Sequence, residues 1–425
     1  MDKIRLFALN VLREITEDGA YSNLALGRNL AKAKLSDRDR RFATELIYGT
    51  TKALTTLDYF ISRFRHLDKL EPLPLNILRL AFYQLIFLKT KPSAVCNEMT
   101  EIAKKTGGVG ISKLVNGILR TYLREPDKIS YDQDSDLGLA LDTFHPLWLV
   151  ELFSKAYGKE TAAKICRLNN LAAPLSLRIN PLRTTTAAVL AAFGERGISA
   201  NAGAITGSVT LTAHQGIADL VELHSGLVTV QDENSQKVGM VLEPQPGEFI
   251  IDMCAAPGTK TSQIAELMQN KGEVIASDIH EHKLRKIEEN AARLGLTIIK
   301  PKLLDARHIA ELYPGKADRV LLDAPCSGLG TLRRRADIRF RKKKAEIKGL
   351  IKLQRELLAA AAKAVKVGGV LVYSTCTIAT GENEAQVHWF LAEQPNFKRL
   401  AAPGEILPSE DNIDGFFIAK FQRIS

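Results

Sequence analysis

The sequence predicts a doubly wound α/β domain over residues 241–425, preceded by an all-α domain at 1–127 and a small α+β module at 138–240. Beyond residue 245, apolar runs of strand length alternate with amphipathic stretches of helical length, the pattern that lays parallel strands side by side between layers of helices. Before residue 125 the apolar residues recur at helical spacing almost without interruption. Between these two regions, short extended runs are interleaved with helical ones.

In the first segment Ile4, Phe7, Ala8, Val11, Leu12 and Ile15 fall on one face of a 3.6-residue period and predict an amphipathic helix. Leu54, Leu57, Ile61 and Phe64 repeat the pattern, and residues 75–88 are apolar nearly all round, which predicts the central helix of a bundle. Glu125-Pro126-Asp127 and the polar run Ser130 to Asp136 carry turn chemistry and predict a linker, with the next unit starting near Gly138. The extended runs of the middle module are Leu175 to Ile179 and Gly226 to Val230. In the C-terminal domain the clearest strands are Phe249 to Ile251, Glu273 to Ala276, Arg319 to Leu322 and Val370 to Tyr373.

A chain of 425 residues is too long for one hydrophobic core, so several domains are expected. Hydrophobic residues at 45% and charged residues at 25% exclude a disordered or fibrous chain. The most apolar stretch, Leu73 to Leu88, is interrupted by Asn76 and Arg79 and is too short to cross a bilayer, and the start Met1-Asp2-Lys3-Ile4-Arg5 lacks the layout of a secretory signal. Cysteines at 96, 166, 254, 326 and 376 form neither a disulfide framework nor a CxxC metal pattern, so reduced thiols, no metal and a cytoplasmic location are expected. The net charge of +10 favours a polyanionic partner, nucleic acid first, through counterion release.

The strand at Phe249 runs into Asp252-Met253-Cys254-Ala255-Ala256-Pro257-Gly258-Thr259-Lys260, followed by a helix from near Thr261. Small residues at a strand-to-helix turn let the backbone approach a ligand closely, as in dinucleotide folds, although this turn lacks GxGxxG spacing. Asp278 follows the next strand, about 20 residues after Gly258, where a carboxylate accepts from ribose hydroxyls; it can also cap the helix expected from Glu281. Asp305, ending the third extended run, carries the same two readings, beside an adenine or as a cap.

Cys326 and Cys376 each sit just past an apolar strand. Ligand sites of doubly wound sheets lie at the carboxyl ends of strands, so the two thiols converge on one crevice if their strands are neighbours. Buried filling is the reading for Cys96 and Cys166. Asp323, before Pro325, is either a site ligand or a turn aspartate. Arg333 to Lys344, with Phe340 set inside it, is the densest basic run, and its attachment to the Cys326 loop predicts a phosphate-binding surface. Arg38, Arg40, Arg41, Lys89 and Lys91 either extend that surface or merely solvate the front domain.

DMCAAPGTK, DAPCSGLGTLRR and YSTCT, in this order, resemble the RNA 5-methylcytosine methyltransferases of the Fmu/Sun/RsmB type over roughly residues 140 to 425. The front segment resembles the NusB-type RNA-binding domain that precedes the catalytic region in that family. The resemblance implies a Rossmann-like S-adenosylmethionine-dependent methyltransferase domain, preceded by a NusB-like domain, and an RNA substrate: small-subunit (16S) ribosomal RNA first, transfer RNA as the alternative. A monomer is expected. A non-catalytic NusB-like RNA-binding factor is the rival from another class, and the intact Cys326, Cys376 and Asp323 argue against it. By motif, Cys254, Ala255, Ala256, Pro257, Gly258, Thr259, Lys260, Asp278, Asp305 and Asp323 hold the cofactor.

Carbon-5 of cytosine is a poor nucleophile, and a thiolate adding at carbon-6 activates it. Cys376 resembles the family's nucleophile, Cys326 the cysteine that assists release of the methylated base, and Asp323 is placed to hold the cytosine. The DNA cytosine methyltransferases use the cysteine of a Pro-Cys motif, which would nominate Cys326 instead. Lys260 has Asp323 or the cofactor carboxylate as prospective partners, or is a solvated side chain in the first turn of a helix. The base must be unpaired or flipped out to react. Two positions depart from the family: Thr259 replaces the second glycine of CAAPGGK, which predicts strain if an unusual backbone angle is required there, and Ala336 stands where proline is usual, with no catalytic consequence expected.

Overall fold

The computed structural model describes residues 2–212, 220–409 and 414–425. The chain divides into two compact units, one of residues 1–170 with 332–344, the other of residues 171–331 with 345–425.

The first unit is helical. Its opening helix, Lys3–Thr16, is started by the Asp2 carboxylate, which accepts from the backbone N–H groups of Ile4 and Arg5 at 2.8 and 3.1 Å. This helix buries Ala8, Leu9, Val11, Leu12 and Ile15, much of the face predicted from the sequence. The central helix is Pro72–Ile86, in which every residue from Asn76 to Leu85 is buried. Arg79, one of the two polar interruptions, forks onto Asp58 with two 2.7 Å contacts and donates to Asn76 Oδ1, so its charge is paired rather than stranded. The 33-residue helix Pro92–Arg124 is kinked at Gly108, whose φ of +83° lies in the region glycine tolerates.

Two expectations fail in this unit. The polar run after Glu125 is not a free linker: Tyr131 stacks on Phe60 at 6.1 Å and donates to Asp142, and a helix follows at Asp136–Asp142. A polar segment holding one aromatic can dock on a bundle through that ring. The basic run is also not simply a phosphate surface. Arg339 is 2% exposed and donates to the carbonyls of Thr143, Phe144 and Asn169 and to Asn170 Oδ1. Arg341 donates to the carbonyls of Ile15, Gly19 and Ala20, and Phe340 packs against the helical core. A guanidinium offers five donors, so it can close the open carbonyl ends of helices as well as bind phosphate. Arg335, Lys343 and Lys344 remain exposed, as do Arg38, Arg40, Arg41, Lys89 and Lys91.

The second unit holds two sheets. The smaller is antiparallel, in the order β2 (Ala200–Ala202), β3 (Ser208–Leu211), β1 (Leu175–Ile179), β4 (Val228–Val230). The larger contains β5 (Phe249–Asp252), β6 (Glu273–Asp278), β7 (Ile299–Leu303), β8 (Ala317–Asp323), β9 (Val365–Thr375), β10 (Phe397–Ile406) and β11 (Phe416–Arg423). Its order is β10-β11-β9-β8-β5-β6-β7; β7, β6, β5, β8 and β9 pair in parallel, and β11 runs against them, antiparallel to both β9 and β10. This is the doubly wound, Rossmann-like sheet the alternating pattern predicted. Apolar side chains of β5, β8 and β9, among them Ile251, Val320, Leu322 and Leu371, meet Leu357, Leu358, Ala361 and Ala364 of the helix Lys344–Ala364 in one core. After β5 the chain moves outward through β6 and β7, then returns to place β8 on the other side of β5. That reversal is the topological switch point, where such sheets open a crevice at the strands' carboxyl ends.

Candidate active site

The loop after β5 lies over this crevice. Met253 N donates to Leu321 O and Ala255 N to Ser277 O, both at 2.9 Å, so the turn is fastened to the strands on either side of β5. The Ala256–Pro257 peptide is cis, and Gly258 follows with φ +95°. A Cβ at Gly258 would lie 3.2 Å from Ile287 Cα, so both backbone angle and space call for glycine. Thr259 does not bear the expected strain. It opens the helix Thr259–Leu267, two residues earlier than predicted, and is absent from the positive-φ residues.

A cavity of about 370 Å³ opens beyond β5, β6 and β7. Of the predicted cofactor residues its wall takes Cys254, Asp278 and Asp305; the run Ala255 to Lys260 and Asp323 are not part of that wall. Ile279, Pro325, Leu353 and Leu357 make it apolar, while His280, Lys283 and Arg307 add polar groups that the sequence reading did not single out. Asp278 is buried, accepts from His280 N at 3.0 Å and has Lys283 Nζ at 3.8 Å. Asp305 caps the short 3₁₀ turn Ala306–His308 and is also held by the Arg307 guanidinium, which keeps its carboxyl below the usual range. Asp305 therefore both caps a turn and lines the cavity, whereas Asp278 lines it without capping the helix Glu281–Leu294, whose N-cap position is His280. A buried carboxylate beside an apolar slot of this size suits an adenosyl group: Asp278 for the ribose hydroxyls, the aliphatic wall for the adenine.

The second cluster stands at the ends of β8 and β9, which pair in parallel with Asp323 beside Ser374. The Sγ atoms of Cys326 and Cys376 are 3.4 Å apart, and both residues are half-buried. The hydrogen bond to Cys376, burial, and the charges of Cys376, Glu382 and Asp323 push the Cys326 thiol well above its ordinary value. Asp323 accepts from Lys260 Nζ at 2.6 Å through one oxygen and from Ser374 Oγ at 2.7 Å through the other. Burial pulls the Lys260 ammonium down, but Asp323, Cys376 and Asp252 more than offset it and leave Lys260 above its usual value. Asp252, fully buried at the end of β5, is pushed up to about 7 by burial although Thr261 donates to it at 2.7 Å. Pro325, adjacent to Cys326, is on the cavity wall, which brings the thiol cluster to the border of the cofactor space. Cys166 is fully buried and pushed up to about 12 by burial, as filling should be. Cys96 packs half-buried against the helical core.

Other participants escaped the sequence reading. Arg178 on β1 donates to Thr259 O at 2.7 Å, to Ser262 Oγ and to both oxygens of Glu266 at 2.9 Å, supporting the cofactor turn from beneath. Glu382 and Asn383, both fully buried, bind the two cysteine-bearing segments. Among the described residues no group of three or more His, Cys, Asp or Glu side chains is arranged to hold a metal ion, and no helix is long and apolar enough to cross a membrane.

A parallel sheet with a switch-point cavity for an adenosyl group and paired thiols at its rim defines a Rossmann-like methyltransferase. The family model for 16S rRNA methyltransferase RsmB/F matches residues 239–422, the NusB family residues 2–124, and a ferredoxin-like domain of RsmF/B-like methyltransferases residues 145–217. A probable ribosomal RNA small subunit methyltransferase B of Bacillus subtilis (strain 168) is 39% identical over 99% of this chain and 98% of its own length. A protein of the same name from Synechocystis is 40% identical over the whole of both chains. The solved structure of PH0851 aligns with a TM-score of 0.86 at 26% identity over 100% of this chain and 99% of its own. NSun6 of Pyrococcus horikoshii, solved with SFG, aligns over 66% of this chain and 98% of its own at 0.61 and 26%. The chain belongs to the RsmB/F family of 16S rRNA methyltransferases, enzymes that take the methyl group from S-adenosylmethionine.

Proposed function

We propose that this protein methylates carbon-5 of a cytosine in small-subunit ribosomal RNA, with Cys376 as the nucleophile and Cys326 as the group that frees the product. The observation that carries the assignment is the 3.4 Å separation of the two sulfurs at the carboxyl ends of adjacent parallel strands. One flipped pyrimidine then meets both thiols at once. S-adenosylmethionine, bound along Cys254, Asp278 and Asp305, supplies an electrophilic methyl group. Asp323, oriented by Lys260 and Ser374, accepts from the exocyclic amine and holds the ring against the thiols. The Cys376 thiolate adds to carbon-6 and makes carbon-5 nucleophilic. After methylation Cys326, acting as a thiolate, takes the carbon-5 proton; the C–H electron pair restores the ring double bond, and the carbon–sulfur pair returns to Cys376.

The remaining parts have their own tasks in this reading. Residues 1–127 and 138–240 grip RNA and 241–425 perform the chemistry, in a cytoplasmic enzyme that acts as a monomer. Labelled methyl donor and undermethylated ribosomal RNA provide the test. The expected result is transfer to one cytosine, a denaturant-stable protein–RNA adduct with Cys326→Ala, and none with Cys376→Ala. The reverse pattern exchanges the two roles; transfer to transfer RNA alone, or to no RNA, refutes the substrate or the activity.

A further inference from the structure

The two cysteines belong to separate loops, and their spacing depends on whatever holds those loops. Two consecutive buried residues hold one each. The Glu382 carboxylate accepts from Ser327 N at 2.9 Å and from Ser327 Oγ, gripping the residue directly after Cys326. Gln354 Nε2 donates to Glu382 Oε2 and to Pro325 O, both at 3.0 Å, so the residue before Cys326 is bound into the same network. Asn383 straddles the other cysteine: its Oδ1 accepts from Thr375 Oγ1 at 2.7 Å and its Nδ2 donates to Thr377 O at 2.9 Å. Ser327 Oγ and Thr377 Oγ1, at 2.7 Å, join the two systems through the residues that follow each cysteine. The Tyr373 hydroxyl, on β9, donates to Glu382 O at 2.7 Å and anchors the dipeptide itself. Both residues are 0% exposed, so these bonds are made without competition from water.

We propose that Glu382 and Asn383 are positioning residues with divided labour: Glu382 places Cys326 for release of the product, and Asn383 places Cys376 for attack. This rests on the assignment of the thiols above. It yields opposite signatures for adjacent residues. Loss of Glu382 misplaces the releasing thiol while the nucleophile stays set, so an enzyme with both cysteines intact should accumulate the covalent methylated adduct. Loss of Asn383 misplaces the nucleophile, so the adduct should not form even where Cys326 is absent. Displacement of a reacting group by about 1 Å costs on the order of 10²-fold in rate.

The experiment uses the full chain with Glu382→Ala, Glu382→Gln, Asn383→Ala, Cys326→Ala and the double variant Asn383→Ala/Cys326→Ala. Each is checked for cooperative melting and for S-adenosylhomocysteine affinity by calorimetry. Neither residue touches the cofactor cavity, so affinity should stay within about twofold, well under 1 kcal/mol. The expected results are a kcat reduced about 10²-fold with denaturant-stable adduct for the Glu382 variants, and a comparable loss without adduct for both Asn383 variants. The glutamine variant, of equal size, keeps the proposal testable if alanine prevents folding. Adduct with Cys326→Ala but none with either Glu382 variant overturns the divided roles and leaves the thiol assignment standing. No adduct with Cys326→Ala overturns both.

Discussion

Replacing Arg178 by methionine tests whether the cofactor turn depends on a buried ion pair. The Arg178 and Glu266 side chains are 5% and 1% exposed, and the guanidinium also holds Ser262 Oγ and the Thr259 carbonyl. Deleting one partner of such a pair strands the other charge and costs about 3–5 kcal/mol. With a urea slope of about 2–3 kcal/mol/M, that moves the midpoint by about 1–2.5 M. The sign of the pH dependence follows from Glu266, whose carboxyl already sits above its ordinary value because burial outweighs the pull of Arg178. Without Arg178 it rises further, and a carboxyl raised in the folded state loses stability as pH climbs through its folded pKa. The loss must therefore be larger at pH 8 than at pH 5. Trp148→Phe leaves Trp389 as the only tryptophan, a fluorescence probe within the unit that contains the pair. Arg178→Met/Glu266→Leu, which strands no charge, should recover more than half of the loss. A loss below about 1 kcal/mol, or one equal at both pH values, refutes the reasoning, since neither fits an ion pair left half-made.

Three further outcomes are expected. Asp252 is held near 7 against an ordinary 3.8, so the intact protein should lose stability between about pH 4 and 7; Asp252→Asn should flatten that limb, which has a ceiling of about 4 kcal/mol, in urea titrations across this range. Thr259→Gly, which restores the family's residue, should leave S-adenosylhomocysteine affinity unchanged by calorimetry and lower stability by about 0.5–1 kcal/mol, because Thr259 opens a helix with an ordinary backbone. Arg339→Lys should cost about 2–4 kcal/mol, since one ammonium cannot serve three carbonyls and an amide oxygen; Trp148 fluorescence in a Trp389→Phe background reports the melt.

The features legible in the sequence were those written as period or as position relative to a strand. Alternating apolar runs gave the parallel strands, and two cysteines placed just past β8 and β9 could converge once those strands proved to be neighbours. Buried polar contacts leave no such trace. Glu382 and Asn383 read as an ordinary polar start to the helix Glu384–Glu393, and Arg178 as a polar position on a short strand. Their partners lie 6 to 88 residues away and are set by topology alone. The basic run misled for a related reason: charge density in a sequence suggests water or phosphate, but a guanidinium satisfied by carbonyls can lie inside a helical unit. Tyr131 misled in the opposite sense, one ring sufficing to dock a segment whose other residues favour solvent.

The excursion at residues 332–344 has a consequence for biosynthesis. The helical unit is almost complete once residue 170 has been made, yet the arginine that caps the Thr143, Phe144 and Asn169 carbonyls is encoded far downstream. At about 5–20 residues per second the ribosome needs roughly 9–35 s to reach residue 344 from residue 170. For that interval the nascent front of the protein carries open carbonyls that only water or a chaperone can serve. Its last fastening arrives immediately after the Cys326 loop has been translated, so one stretch of message both delivers the Cys326 thiol and finishes the fold begun at the N-terminus.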